Sequence, residues 1–185
     1  ANECLMVATA SGWRKITGDS VETFRIAPIF HKVGLRERAA MVSVGNSLAF
    51  LDANGSLRIT DGFTEEEFGK PIRSDLAGIT QANASLAYHS DGSRRLILLL
   101  DGARTKIRVF DIDADRWLPP WSVGGASIAS VETSSGTWQL LLGHTSGKVL
   151  KNPFNTYTDN GSTYTPSLTT QLISLPQSEK TGFTA

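Results

Sequence analysis

Short apolar segments alternate with polar turns along almost the whole chain. In residues 47–52 and 56–60 apolar and polar positions roughly alternate, which is the period of a strand with one buried face. Such segments are bounded by Gly, Asn, Asp or Ser, which is typical of strands joined by tight turns. The pattern predicts strands at 4–9, 12–17, 22–29, 39–44, 47–51, 57–60, 85–89, 95–101, 105–111, 127–131, 138–142, 149–152 and 169–175.

The residues between these segments predict hairpins. Asn54-Gly55 lies between two predicted strands, and this dipeptide tolerates the positive φ that a type I′ turn needs at both central positions. Gly45-Asn46, Asp61-Gly62 and Asp91-Gly92 have the same turn chemistry. Short hairpins join antiparallel neighbours, so the sequence predicts an all-β fold built as an antiparallel meander.

One segment has a helical signature. Thr64 is followed three residues later by Glu67, the spacing of a capping box. Gly69 and Pro71 come soon afterwards and would end a helix. We therefore expect a short turn of helix over residues 64–68.

Four segments of the chain resemble one another, at residues 5–33, 41–76, 86–121 and 128–175. The clearest match is between SGWRKITGD, NGSLRITDG and SGKVLKNPF, where Gly precedes a strand that ends in a polar turn. This period favours β-propeller blades, and a sandwich or a barrel is the alternative. About four repeats are near the minimum for a closed ring. The prediction is one propeller-like domain over residues 1–176, followed by a flexible tail at 177–185. The chain does not begin with Met, and we expect it to be part of a larger propeller.

Composition narrows the classes of function. The 185 residues include 18 Lys and Arg and 18 Asp and Glu, so the net charge is zero. A neutral chain is not expected to be a simple electrostatic binder of nucleic acid, and it repels its own copies little, which suits an assembly. Cys4 is the single cysteine, which excludes an intramolecular disulfide and a multi-cysteine metal site. The apolar segments are too short to span a membrane.

Candidate chemistry is sparse. Asp111, Asp113 and Asp115 have the spacing of the first three ligands of a calcium loop, but Arg116 stands where the loop needs Gly, and Ser122 stands where it needs Glu. A solvated turn is the favoured interpretation. The three histidines lie in different repeats without a second ligand nearby: His31, His89 and His144. We therefore predict no catalytic, cofactor-binding or metal-binding residue, and a protein that is not an enzyme.

Aromatic and basic residues are interpreted structurally. The four tryptophans fall near predicted strands, where packing between blades is favoured over a stacking platform for sugars or bases: Trp13, Trp117, Trp121 and Trp138. Basic residues cluster at two places, Lys32 with Arg36 and Arg38, and Arg94 with Arg95. These clusters are expected to be solvated turns or subunit contacts.

Several segments carry a family resemblance. VSVGNSLAFLDANGSLRITDG at 42–62, with APIFHKVGL at 27–35 and GKPIRSDL at 69–76, resembles the repeating hairpins of β-propeller tail proteins of tailed bacteriophages, which include nozzle, tube and head-completion proteins. IRVFDIDADRWLPPW at 107–121 resembles the end of a blade in the same family. Members are usually longer than this chain.

The resemblance implies a structural component of the virion tail or head-to-tail connector. Such a protein acts by packing in a symmetric ring, with copies of itself and other tail or portal proteins as partners and no sequence-specific nucleic acid. Residues 63–71 and 152–165 are the expected contact loops. The alternatives are a cellular β-propeller interaction module of the kelch type and, less favoured, a carbohydrate-active propeller enzyme.

Overall fold

The protein is mostly β. The computed structural model describes residues 5–30, 33–35, 37–79, 81–123, 125–152, 158–159 and 162–163, and about half of them lie in strands. The strands are β1 (Leu5–Thr9), β2 (Gly12–Thr17), β3 (Arg25–Phe30), β4 (Met41–Val44), β5 (Ser47–Leu51), β6 (Leu57–Thr60), β7 (Glu65–Glu67), β8 (Ser85–Ser90), β9 (Arg95–Leu100), β10 (Ile107–Asp111), β11 (Arg116–Trp121), β12 (Ser127–Glu132), β13 (Trp138–Gly143), β14 (Val149–Asn152), β15 (Thr158–Asp159) and β16 (Ser162–Thr163). A 3₁₀ turn at Lys70–Ile72 and a single turn of helix, α1 (Arg73–Leu76), are the helical elements in the described part of the chain.

The strands form antiparallel meanders in sequence order. Sheet 1 contains β1–β3, sheet 2 contains β4–β7, sheet 3 contains β8–β11 and sheet 4 contains β12–β14. All four belong to one compact unit, residues 1–154, and none of them closes into a barrel. A second unit, residues 155–185, contains the hairpin of β15 and β16. The predicted strand at 169–175 and the predicted tail lie outside the described residues.

The helical prediction for residues 64–68 is wrong. Glu65–Glu67 is β7, which pairs antiparallel with Arg58–Thr60 of β6. The Thr64 N–H and hydroxyl both donate to Asp61 Oδ1, at 2.7 and 3.1 Å, so Thr64 closes a turn and does not cap a helix. The helical residues begin after Gly69. Pro71 lies in the first turn, where backbone N–H groups have no intrahelical acceptor, so the missing N–H of proline costs no hydrogen bond.

The type I′ prediction for Asn54-Gly55 is also wrong. Gly55 has φ +85°, but Asn54 does not adopt a positive φ. The Gly55 N–H donates to the Asp52 carbonyl at 3.0 Å, and the Asp52 N–H donates to the Ser56 carbonyl at 2.9 Å. Asp52 Oδ1 stabilises this longer turn, because it accepts from the N–H groups of Asn54 and Ser56, both at 2.8 Å.

Consecutive sheets pack face to face through apolar side chains. Trp13 of sheet 1 contacts Phe50 of sheet 2, with ring centroids 4.7 Å apart. Sheets 2 and 3 bury one cluster between them, and sheets 3 and 4 bury another. The larger buried members of the first cluster are Leu51, Leu57, Leu76 of α1, Leu86, Ile97, Leu99 and Phe110. Those of the second cluster are Leu96, Leu98, Leu100, Ile107, Val109, Ile128, Leu140 and Leu142. The first strands are also neighbours, because β4 contacts β8 and β8 contacts β12.

Strand register relates sheet 1 to its neighbours. The pair Val7–Arg14 of β1 and β2 corresponds to Phe50–Arg58 of β5 and β6, and to Leu99–Arg108 of β9 and β10. The segments that follow these sheets return to the corresponding turns: the Leu35 N–H donates to the Thr9 carbonyl at 2.9 Å, and the Gly125 N–H donates to the Arg104 carbonyl at 3.2 Å. Sheet 1 therefore supplies the second, third and fourth strand positions of a four-stranded sheet.

Sheet 4 supplies the first three positions. The turn from His144 to Lys148 between β13 and β14 has the hydrogen bonds of the Asp52–Ser56 turn between β5 and β6, with Gly147 at the place of Gly55. The three matching segments of the sequence thus form β2, β6 and β14, which all occupy the third position. Sheets 2 and 3 have four strands each.

Candidate functional site

The outer face of sheet 1, which points away from sheet 2, is apolar and exposed. Alternation along the strands puts Leu5, Val7, Arg14, Ile16 and Ile26 on it, because cross-strand partners share a face. Leu5 is 62% exposed and Ile26 is 64% exposed. Contiguous apolar side chains on a surface mark interaction sites.

The outer face of sheet 4, which points away from sheet 3, is similar. It carries Ala129, Val131, Gln139, Leu141, Val149 and Lys151, whereas Ile128, Leu140, Leu142 and Leu150 face sheet 3. Val149 is 66% exposed and Val131 is 39% exposed. The unit formed by sheets 1 to 4 therefore has an apolar surface on each of its two end sheets.

A row of three arginines runs through the sheets at one register position. Arg58 Nε donates to Asp52 Oδ2 at 2.7 Å. Arg108 is buried and binds Asp101 at 3.2 Å and also Asp75 of α1. Its hydrogen bond to Asp75 lowers the pKa of that carboxyl, although burial acts in the opposite direction. Arg14, on the outer face of sheet 1, is exposed.

Sequence inspection missed this arginine row. Its signal is an Asp that opens a turn and an Arg on the next strand, as in DANGSLR at 52–58 and DGARTKIR at 101–108. The two turns differ by one residue, and sheet 1 has Thr9 in place of the aspartate, so the match is visible only once the strands are paired.

The three aspartates of the candidate calcium loop do not form a metal site. Asp111 Oδ1 accepts from the N–H groups of Asp113 and Ala114, at 3.1 and 3.0 Å. Asp113 binds Arg95 at 2.6 Å, and this hydrogen bond lowers the pKa of its carboxyl. Within the ranges that the structure describes, no three His, Cys, Asp or Glu side chains come together as metal ligands.

His89 and His144, the two histidines in the described part of the chain, lie in sheet 3 and in a turn of sheet 4. His89 is buried where β8 contacts β12, and its Nδ1 lies 2.9 Å from Ser130 Oγ. Burial lowers the pKa of His89, and the nearby Asp91 carboxylate opposes this shift. His144 belongs to the β13–β14 turn, where its Nδ1 lies 2.7 Å from Ser146 Oγ. His31 lies outside the described residues.

Trp13 is buried, Trp117 and Trp121 are half-buried against the apolar clusters, and Trp138 is exposed. Trp13 is 1% exposed. Trp117 stacks on Phe68 and donates from Nε1 to the Phe68 carbonyl at 3.1 Å, and Trp121 packs beside the cluster between sheets 3 and 4. The packing prediction is wrong for Trp138, which is 43% exposed, because it begins β13 beside the exposed turn that follows β12.

The predicted contact loops and basic clusters are only partly described. Phe63 of the predicted loop at 63–71 is exposed, and the centre of its ring lies 4.2 Å from Lys15 Nζ. Glu65 and Glu66 of the same loop line an open depression of about 470 Å³. Most of residues 152–165 lie outside the described part, as do Lys32 and Arg36. Arg38 and Arg94 are exposed.

The comparisons with known proteins name no family. No protein-family model matches the chain, and no curated protein sequence matches it either. None of the helices in the described ranges is long and apolar enough to cross a membrane.

Proposed function

We propose that this protein is a structural component of a bacteriophage tail or head-to-tail connector, which acts by packing its sheets against neighbouring protein in a propeller-like ring. The observation that carries the proposal is the pair of apolar, exposed outer faces on sheets 1 and 4. Burying such faces is the dominant favourable contribution to protein association.

The order of the sheets supports a propeller-like arrangement. Each of sheets 1 to 4 is an antiparallel meander, each follows its predecessor in sequence, and the first strands β4, β8 and β12 are neighbours in that order. In a propeller, blades are arranged radially with four strands each. The four-stranded sheets 2 and 3 have this strand number, and sheets 1 and 4 at the two ends of the series each have three strands within the described residues.

The fourth strands of sheets 1 to 3, which are β3, β7 and β11, are poorly suited to pairing with a strand of another molecule. This supports association through the faces of the sheets. β3 carries Pro28, β11 carries Pro119 and Pro120, and β7 consists of three glutamates. Proline and charge are the means by which proteins prevent unwanted pairing at a sheet edge. The outer faces of sheets 1 and 4 are mainly apolar, with one cation described on each, Arg14 and Lys151.

The tail or connector setting depends on the sequence resemblance of residues 27–76 and 107–121. Its test is the composition of the particle. Phage particles should be purified from the host that carries the gene and analysed by quantitative mass spectrometry. We expect the protein at a fixed stoichiometry relative to the portal protein. Its absence from intact particles would overturn the proposal, and so would hydrolysis of a glycan by the purified protein at an ordinary enzymatic rate.

A further inference from the structure

We propose that copies of this chain associate head to tail, with the outer face of sheet 4 of one copy packed on the outer face of sheet 1 of the next. This inference depends on the proposed function, since it takes the neighbouring protein in the assembly to be another copy. Within one chain, sheet 1 packs on sheet 2, sheet 2 on sheet 3 and sheet 3 on sheet 4. The proposed contact between copies has the same arrangement of faces.

The exposed residues of sheet 1 occupy positions that the next sheets bury. Val7 corresponds in register to Phe50 of sheet 2 and Leu99 of sheet 3. Phe50 and Leu99 are both 0% exposed, and each faces the sheet that precedes it, whereas Val7 is 36% exposed. The outer face of sheet 1 is therefore the face that a preceding sheet covers everywhere else in this fold.

The outer face of sheet 4 corresponds to the faces that do the covering. Val149 has the register position of Trp13, Leu57 and Ile107. Each of these three residues lies on the third strand of its sheet, one residue before the arginine of the row, and Val149 lies one residue before Leu150, which takes the place of the arginine in sheet 4. Each of these three residues faces the following sheet and is at most 2% exposed, whereas Val149 is 66% exposed. Sheet 4 thus presents the face that would cover a following sheet.

The correspondence predicts a specific contact. Trp13 packs on Phe50 between sheets 1 and 2. Val149 takes the place of Trp13, and Val7 takes the place of Phe50. Val149 of one copy should therefore contact Val7 of the next.

The two faces do not cover each other within one chain, because both are exposed in the same molecule. A second copy supplies a covering sheet for each of these exposed faces. The contact joins two different surfaces, so each addition leaves one free face of each kind. Such contacts produce a ring if the rotation between copies closes, and an open filament if it does not.

The first test uses charge substitutions in the full chain. Val149→Glu and Val7→Glu each place a carboxylate in the proposed contact, and Val21→Glu is the matched control, because Val21 is 88% exposed in the turn between β2 and β3. Sedimentation velocity should show concentration-dependent association of the wild type and of Val21→Glu. We expect association at least about a hundredfold weaker for the other two, since a buried unpaired charge is costly. A monomeric wild type, or equal association of all variants, would overturn the inference.

The second test decides the matter even if a charge variant fails to fold. In a Cys4→Ser background, Val7→Cys and Val149→Cys are prepared as separate proteins. Oxidation of their mixture should give a disulfide-linked heterodimer, whereas either protein alone should stay largely unlinked, because the contact joins unlike faces. Mixing Val149→Cys with Val21→Cys is the control. Linkage in each single variant alone, or equal linkage in the control, would contradict the head-to-tail contact.

These outcomes separate the inference from the proposed function. A protein that is present in particles but monomeric in both tests refutes the contact between copies and leaves the structural role. A protein that associates through Val7 and Val149 but is absent from particles refutes the tail or connector role and leaves the contact.

Discussion

Arg58 and Arg108 occupy the same register position in neighbouring sheets, and each binds the aspartate that begins the turn before its strand. Arg58 reaches Asp52 at 2.7 Å, and Arg108 reaches Asp101 at 3.2 Å. Both aspartates also accept backbone N–H groups of their turns, so each ion pair ties a hairpin turn to a strand. Arg108 additionally binds Asp75 of α1, which connects sheet 3 to the segment that follows sheet 2.

Replacing Arg108 by alanine should destabilise the fold by about 3 kcal/mol, because Asp101 is 4% exposed and would be left as a buried charge without its cation. Urea denaturation followed by fluorescence measures this change. Arg14→Ala is the matched control, since Arg14 has the same register position in sheet 1 but is exposed, and we expect a change within about 0.5 kcal/mol. Equal effects of the two substitutions would contradict a structural role for the Arg108 ion pairs.

Protonation of His89 should destabilise the fold at acidic pH. Burial lowers its pKa in the folded protein below the ordinary value of 6.5, so the unfolded chain binds a proton at a higher pH than the folded chain does. The contribution of neutral His89 to the free energy of unfolding is fully present above pH 6.5. It is lost as the pH falls from 6.5 through the lowered pKa of the folded protein. Denaturation curves across this interval should show a smaller pH dependence for His89→Gln than for the wild type. An NMR titration that gives His89 a pKa at or above 6.5 would refute the argument.

Gly34→Ala should be strongly destabilising, while Gly78→Ala should not. A Cβ at Gly34 would lie 1.9 Å from the carbonyl oxygen of Ala10, which is backbone in the β1–β2 turn and cannot move aside like a flexible side chain. A Cβ at Gly78 would meet no atom within 4 Å. We expect a loss of about 2–3 kcal/mol for the first variant and little change for the second, measured by thermal denaturation. Similar melting temperatures for the two variants would show that the segment containing Gly34 does not approach Ala10 this closely.

Chelators should leave the stability unchanged. The carboxylates of Asp111 and Asp113 are engaged by backbone N–H groups and by Arg95, and the described part of the chain holds no metal-ligand cluster. The melting temperature should therefore be the same in EDTA and in added Ca²⁺, in the wild type and in Asp113→Asn alike. A rise of the melting temperature with Ca²⁺ that Asp113→Asn abolishes would restore these aspartates as ligands.

Local pattern was sufficient to predict most of the strands, but it did not predict β7, β11 or the two-residue strands β15 and β16. The approximate alternation at residues 47–52 follows from side chains that point alternately to two faces. The apolar runs that form β9 and β10 are short and bounded by turn residues, and both faces of these strands are buried. Both signals act within a few residues. The short edge strand β7 was missed, because three consecutive glutamates have no apolar alternation and Thr64 and Glu67 have the spacing of a capping box. Its pairing with β6 decided the outcome, and pairing is a contact between segments that the local pattern does not contain.

The sequence by itself determined an all-β meander and the approximate places of its turns, since propensity, alternation and Gly or Asp at turns act locally. Only the tertiary structure decided that Val7, Phe50 and Leu99 are equivalent, that two of them are buried and one is exposed, and that Arg108 meets Asp75. These relations depend on cross-strand register and on which sheet covers which, and both are set by burial of apolar surface between segments far apart in the chain.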